Sequence, residues 1–287
     1  MRPLLLVRKQ GVYGSLQDQG RYGYRAYGVP TAGAMDRRSF QASHLILGHT
    51  DNETSLELFI GGFEFEALAE ATYVLTGAES ICLVNGLPIE MWKTFQLKKG
   101  DRLTIQRVVK GAILYLTPYG GFQAEQQLGS RSCFPLGHMG ESLQKGHILY
   151  GQSVASSTKT RGLYAPYRPQ FESHRVVRAF KGPHFHLFSI ESQQQFIETT
   201  FQFVSGNRMG YYLKGGVLQL QQPRDILSEA TQFGTIQVPK SGEPIVLMAD
   251  AQTVGGYPII ATVHEDDLDQ IAQMRRLDTV KFTLMEV

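Results

Sequence analysis

The chain has 287 residues, of which 42% are hydrophobic and 19% are Asp, Glu, Lys or Arg, and its formal net charge is +2. That apolar content can fill one large core or two medium ones, and it excludes a disordered chain. The near-balanced charge, with no block of like charges, argues against a nucleic-acid partner.

Cys82 and Cys133 are the only cysteines. They lie far apart and form no CxxC, so neither a zinc site nor a disulfide framework is expected. At the start, only Leu4 to Val7 form an apolar run. That is too short for a secretory signal, and nothing approaches the roughly 20 apolar residues of a spanning helix. A reduced, cytoplasmic protein without membrane contact is expected.

The first notable stretch is glycine-rich and charged: "QDQGRYGYRAYGVPTAGAMD", from Gln17 to Asp36. Glycines let backbone amides approach a ligand, and an arginine among them can hold a carboxylate with two parallel bonds. Asp18 and Arg21 are therefore candidates for catalysis and Asp36 for substrate binding. The alternative is a tight turn in which Asp18 and Arg21 pair, with Asp36 as a helix cap. Asp36 is placed to cap a helix reaching about Leu47, with Phe40, His44 and Leu47 on one side.

Short strand-like runs follow: "SLELFI", "TYVLTG", "SICLVNG", "DRLTIQRV" and "GAILYLTPYGG". Gly, Pro or Asn breaks most of them, as in antiparallel sandwiches and barrels. "GSRSCFPLGHMG" mixes glycine with polar groups but is weak alone. The two prolines of Gly162–His174 mark a boundary, which predicts domains over residues 1–165 and 170–287. His184 and His186 form the one close histidine pair, and without a third ligand a structural role is expected.

A second helix is predicted over Ser189–Thr199. "GNRMGYYLKGG" then brings Arg208, either an exposed hairpin arginine or a site residue. "RMGYYLKG" echoes "RYGYRAYG" of the opening loop, with Arg, Gly, Tyr and Gly at equal spacing. A true duplication would give two barrels, each carrying an Arg-x-Gly-Tyr loop that feeds a common pocket.

"EATQFGTIQVP" is a further weak polar stretch. In "LMADAQTVGGYPIIATV" a buried strand ends on Asp250, followed by Gln252, Thr253, Gly255, Gly256 and Tyr257. Polar groups at the mouth of a barrel strand commonly form small-molecule sites. Asp250 is a candidate base; the rest are candidates for substrate binding. A plain hairpin with Tyr257 over its glycines is the alternative. A third helix is predicted over "EDDLDQIAQMRR", with acids first and arginines last. The end, "TVKFTLMEV", alternates, with Val280, Phe282 and Leu284 on one face. No P-loop, GxSxG, HExxH or strand-borne GxGxxG is present, so no standard phosphate or metal motif is found.

Taken together, "SLQDQGRYGYRAYGVPTAGAMDRRSFQASHLILG", "ELFIGGFEFE", "VLTGAE", "LGSRS", "NRMGYYL", "GTIQVP", "PIVLMADAQTVGGYP" and "IATV" resemble the allophanate hydrolase subunit 2 family. Its members include 5-oxoprolinase subunits, KipA-type regulators and the second half of the urea carboxylase carboxyltransferase domain. The resemblance implies a mainly β fold of tandem cyclophilin-like β-barrels with a few short helices. It also implies a subunit 1 partner of the KipI or PxpB type and, for 5-oxoprolinase, a PxpA-type third subunit. The implied activity is ATP-dependent opening of the lactam 5-oxoproline to L-glutamate, by a complex rather than by this chain alone. Two alternatives stay open. One is a biotin-dependent carboxyltransferase acting on urea or a related amide. The other is a KipA-type regulator that antagonises a KipI-type kinase inhibitor. Prolyl isomerisation would rest on fold analogy alone.

The chain departs from the family pattern at several positions. Ser43 and His49 stand where Asn is usual, Cys133 where Thr is, Ala251 where Arg is and Val254 where Thr is. The loss at Ala251 weakens any carboxylate contact expected there. On this reading Arg21 and Arg208 bind a carboxylate or oxyanion, Asp18 or Asp250 is the base, and Gln252 and Tyr257 position the substrate.

Overall fold

The computed structural model describes residues 1–49, 52–152 and 160–286. It separates into two units, Met1–Arg21 with Ala32–Phe171 and Tyr22–Thr31 with Glu172–Val287. Part of the opening glycine-rich stretch thus counts with the second unit. Both units are mainly β, and no helix among the described residues is long and apolar enough to cross a membrane.

The first unit contains β1 (Arg2–Lys9), β2 (Tyr13–Gln17), α1 (Arg37–Leu47), β3 (Ser55–Phe59), β4 (Phe63–Ala67) and β5 (Ala71–Val84). It continues with β6 (Leu87–Pro88), β7 (Thr94–Leu97), β8 (Arg102–Pro118), β9 (Phe122–Gln123) and β10 (Ile148–Gly151). Among the described residues these form one ten-stranded sheet with the main path β2-β3-β8-β4-β1-β10-β9.

Strands β5 and β8 correct the sequence reading. "TYVLTG" and "SICLVNG" are halves of the single strand β5, and "DRLTIQRV" and "GAILYLTP" are halves of β8. The glycines that suggest breaks are irregularities within continuous strands. The β5–β8 register shifts just after Gly77, whose φ is 93°. A bulge of this kind bends a strand without ending it. One half of β8 then pairs with β4 and the other with β3. The alternating Phe63, Phe65, Leu103 and Ile105 fill the core beneath.

Helix α1 forms where capping chemistry predicts. The Asp36 side chain accepts the Ser39 N–H, and Gly48 closes the other end in the left-handed conformation, with φ 72°. Phe40, His44 and Leu47 are buried, as the spacing predicts.

The second unit holds β11 (His174–Lys181), α2 (Ile190–Glu198), β12 (Thr200–Gly206), β13 (Gly210–Lys214), β14 (Glu229–Ala230) and β15 (Thr235–Gln237). After these come β16 (Ile245–Leu247), β17 (Val254–Gly255), β18 (Ile259–Val263), α3 (Leu268–Ala272) and β19 (Thr279–Met285). The order β11-β18-β15-β16-β13-β12-β19 closes into a barrel, while β14 and β17 form a separate two-stranded ladder. Val280 and Phe282 point inward from β19 and Leu284 is partly buried; Val287 lies outside the described residues. Phe282 stacks on Phe196 of α2, centroids 5.1 Å apart.

Two further expectations change. The charge pattern predicts a third helix that reaches its arginines, but a 3-10 turn at Glu265–Asp267 leads into α3, which ends at Ala272. Beyond it, Arg175 donates to the Gln273 carbonyl and pairs with Asp278 at 2.8 Å. The Asp278 carboxylate also accepts the Arg275 N–H. These bonds turn the chain before Arg275 and Arg276 can join the helix, so they do not complement its dipole. The internal echo does not correspond to a shared structure. Arg21–Gly28 contains a 3-10 turn at Arg25–Tyr27, whereas Arg208–Gly215 runs into strand β13.

Candidate functional site

In the first unit Asp18 is almost fully buried and knits its loop to the Ser130–Ser132 segment. Its Oδ1 accepts the Gly20 N–H at 2.9 Å and the hydroxyls of Ser130 at 2.7 Å and Ser132 at 2.5 Å. Its Oδ2 accepts the Arg131 N–H at 2.7 Å. Arg21 is buried beside it and donates from Nε to the Gln127 carbonyl at 3.0 Å and from Nη2 to the Ser132 carbonyl at 2.9 Å. Glycine is required at Gly33, where φ is 82° and a Cβ would stand 3.0 Å from the Gln19 backbone. Beside Arg21, Ser132 and Cys133 lies a cavity of about 80 Å³. This is well below the roughly 300–1,000 Å³ of ordinary ligand pockets.

Asp36 is also buried. Besides capping α1, it donates its backbone N–H to the Tyr115 hydroxyl at 2.9 Å. Tyr115 donates in turn to Glu57 at 2.6 Å, and Glu57 also accepts the Met35 N–H at 2.9 Å. Burial, and then the charges of Glu57 and Asp36, push the Tyr115 phenol well above its ordinary pKa. It stays a neutral donor in this network.

In the second unit Arg208 and Asp250 form a bidentate pair, Nε to Oδ2 at 2.8 Å and Nη2 to Oδ1 at 2.7 Å. Arg208 is 4% exposed and Asp250 5%. The Asp250 N–H also donates to the Arg208 carbonyl at 2.8 Å, which locks the two segments together. This pair fixes the start of the loop leading to Tyr257.

Loop residues Gln252 to Tyr257 are held by β15 and by Thr231. Gln252 donates from Nε2 to Gln237 Oε1 at 3.2 Å, and Gln237 reaches the Tyr257 carbonyl at 3.5 Å. The Thr231 hydroxyl donates to the Gln252 carbonyl at 2.6 Å, and its N–H to the Thr253 carbonyl at 3.0 Å. Gly255 pairs with Glu229 across β14–β17. Gly256 and the half-exposed Tyr257 line a cavity of about 750 Å³ with Phe188, Arg224 and Lys240. It falls within the ordinary ligand range. Asp225 lines it as well and pairs with Lys240 at 3.7 Å, so the cavity has an aromatic wall and a rim of both charges.

The structure thus gathers Arg208, Asp250, Gln252, Thr253, Gly255, Gly256 and Tyr257 around one loop of the second unit. Asp18, Arg21 and Asp36 belong to the first. Several residues that support the loop carry little signal in the sequence. Arg25 donates from Nη2 to the Thr231 carbonyl, and burial lowers its pKa. It lies in the opening stretch, where Arg21 is the more conspicuous arginine. Glu229, Thr231 and Gln237 sit in the weak polar run "EATQFGTIQ", and His184 in the histidine pair expected to be structural. Their mixture of polar side chains with strand residues is the only available signal.

Residues 27–284 match the family described as carboxyltransferase domain, subdomain A and B. The chain is 35% identical over 274 residues to a 5-oxoprolinase subunit of Haemophilus influenzae, covering 93% of this chain and 87% of that protein. It is 34% identical over 277 residues to the 5-oxoprolinase subunit of the same name from Escherichia coli, with 94% and 88% covered. The crystal structure of Kluyveromyces lactis urea carboxylase matches with a TM-score of 0.91 at 26% identity. That match takes in 100% of this chain but only 28% of the urea carboxylase chain. By family match and by relatives similar over nearly their whole length, the chain belongs to the carboxyltransferase domain family of subdomains A and B.

Proposed function

We propose that this chain is one subunit of an ATP-dependent 5-oxoprolinase that opens 5-oxoproline to L-glutamate, acting with a KipI/PxpB-type partner and a PxpA-type third subunit. One observation carries the reading. The two relatives named as 5-oxoprolinase subunits are matched over 87% and 88% of their own length, so the likeness extends over most of such a subunit. ATP enters as a co-substrate of the complex, and no residue of this chain is assigned to it.

The chemistry of the loop fits. A lactam carboxylate needs a cation for its carboxylate, a surface for its ring and donors for the oxyanion that develops on the carbonyl. Arg224 supplies the cation, beside Lys240 that is paired with Asp225, and Tyr257 the ring surface, while Gly256 brings bare backbone to the wall. The Arg208–Asp250 pair holds the loop in shape for this task, and Gln252 and Thr253 fix its middle. In the first unit Asp18, Arg21 and Asp36 hold the opening loop and the start of α1. One well-placed donor to an oxyanion is worth about 10²–10³ in rate.

The test is co-purification with the KipI/PxpB-type subunit, followed by an assay of ATP-dependent glutamate release with and without the third subunit. Release that needs both partners supports the reading. A stable complex that releases no glutamate supports the regulatory alternative of the KipA type. The match to urea carboxylase favours a second reading, a biotin-dependent carboxyltransferase acting on urea or a related amide. Carboxylation of urea from carboxybiotin by the same complex would establish it.

A further inference from the structure

Most of the wall of the 750 Å³ cavity is firmly bonded chain. Phe188 and Leu220 form a β-bridge, the Leu218 N–H donates to the Gly242 carbonyl at 2.9 Å, and the Val238 N–H donates to the Pro258 carbonyl at 2.9 Å. One side is different. It consists of Pro223, Arg224, Asp225 and Ile226, in a run without helix or strand. Pro223 has no N–H to donate and keeps Gln222 out of helical geometry. Among the described residues, none of residues 222–228 takes part in a hydrogen bond.

Both ends of this run are tied down. The Gln221 N–H donates to the Leu187 carbonyl at 2.9 Å, and Glu229 and Ala230 pair with Gly255 and Val254. Between these anchors the segment rests on the site loop by packing alone. A Cβ on Gly256 would stand 3.4 Å from the Ile226 carbonyl oxygen and the Ser228 hydroxyl. A single ion pair fastens the middle: Asp225 Oδ1 lies 3.7 Å from Lys240 Nζ, with the two side chains 96% and 92% exposed. Lys240 stands in the turn between β15 and β16, so the pair joins the segment to the barrel. An exposed pair of this kind shifts an equilibrium by about fivefold at most. It can hold the segment in place, and it breaks readily.

Resting on the lactam-opening reading, we propose that residues 222–228 form a lid on the lactam site, hinged at Gln221 and Glu229 and latched by Asp225 to Lys240. The lid swings out to admit the ligand. Arg224 sits on the lid, so a carboxylate held by Arg224 and by the barrel side of the cavity favours the closed form. Binding and closure are then one event, because the ligand has more contacts in the closed state than in the open one.

The test begins with an arginine-specific protease on the full native chain, with cleavage after Arg224 followed by mass spectrometry. The protease needs the lid swung clear of the barrel, so the cleavage rate follows the open population when opening is fast. Lys240→Gln removes the latch and leaves the cleaved bond intact. It should raise the rate at Arg224 about two- to fivefold at low salt. An exposed loop with no latch would be cut equally fast in both proteins. Equal rates, or no cleavage at Arg224 before global unfolding, overturn the inference.

The second arm uses the assembled complex. Asp225→Cys with Lys240→Cys is joined by a short bis-maleimide and compared with the same protein whose two thiols are capped separately. Cys82 and Cys133 are buried and lie out of reach of the reagent. The bridged lid should lower kcat/KM for 5-oxoproline about tenfold or more relative to the capped protein. Equal values would show that the ligand enters without lid movement and would overturn the inference. If the wild-type complex opens no 5-oxoproline, the proposed function falls. The cleavage rates then decide the lid independently: a rise in Lys240→Gln supports it and equal rates remove it.

Discussion

His44 and His49 face each other through their Nδ1 atoms at 2.9 Å, and the bonds around them fix which one carries the hydrogen. The Gly120 N–H donates to His49 Nε2 at 3.0 Å, so neutral His49 is protonated on Nδ1 and donates to His44. His44 must then be protonated on Nε2, which faces the Ser55 hydroxyl at 3.2 Å. Ser55 passes the direction to Thr117 at 2.7 Å, Thr117 to Ser43 at 2.8 Å and Ser43 to the Phe40 carbonyl at 2.7 Å. Every donor in this chain has an acceptor only while both rings are neutral.

Acid should therefore destabilise the first unit. Burial, followed by the charge of His49, lowers His44 to about 3, and burial lowers His49 to about 4, both from 6.5. Because these pKa values are depressed, the unfolded chain binds protons that the folded one refuses. The stabilisation is complete above about pH 6.5 and drains away as pH falls towards 4 and then 3. The slope is at most about 1.4 kcal/mol per pH unit for each histidine, less for His49 because it is partly solvated. Urea midpoints of wild type and His49→Gln at about pH 7.5 and about pH 5 check this. The variant should start lower and lose less on acidification; equal acid slopes would remove the two rings as the cause.

The legibility of the fold followed the range of the interactions. Helix α1 could be read because Asp36 and the apolar spacing act within a few residues of one another. Helix α3 could not, because Arg175, about a hundred positions away, takes the Gln273 carbonyl. Likewise "TYVLTG" and "SICLVNG" look like two strands because Gly77 is a local stop signal, yet pairing with β8 carries the strand through it. The same limit applies to the site. Asp250 to Tyr257 stand out as a run, but Thr231 and Gln237 reach it only by long-range hydrogen bonds and Glu229 only through the β14–β17 ladder.

Asp18→Asn should destabilise the chain despite its small change in size. The carboxylate accepts two serine hydroxyls and two backbone N–H groups. An amide in its place turns one acceptor into a donor that faces another donor. A loss of about 1–3 kcal/mol is expected, read as a lowered thermal midpoint. A midpoint equal to wild type would show that the loop does not depend on the charge.

Arg208→Ala should cost about 3–5 kcal/mol, because it leaves the buried Asp250 carboxylate without its guanidinium. The charge-free pair Arg208→Met with Asp250→Leu should cost less than the sum of the two single changes. Activity of the assembled complex has to be read beside that stability. If the pair only shapes the loop, Arg208→Lys should retain part of kcat in proportion to the folded fraction. A folded Arg208→Lys protein with no turnover would instead make the guanidinium a contact of the substrate.

Gly255→Ala separates the loop from the scaffold. A Cβ at this position would stand 2.5 Å from Gln237 Nε2, the atom that reaches the Tyr257 carbonyl. Gln237 is buried, but the clash falls on the far end of its side chain, so moving it aside should cost about 1–3 kcal/mol. Moving it also disturbs Gln252, whose amide donates to Gln237 Oε1. Tyr257 and Gly256 then lose their support at the wall of the 750 Å³ cavity. The expected outcome is a protein that still folds, with a lowered unfolding midpoint, and whose folded fraction turns over about tenfold or more slowly, since displacement of a site by about 1 Å can cost that much. Normal turnover in a folded Gly255→Ala complex would place the chemistry away from this loop.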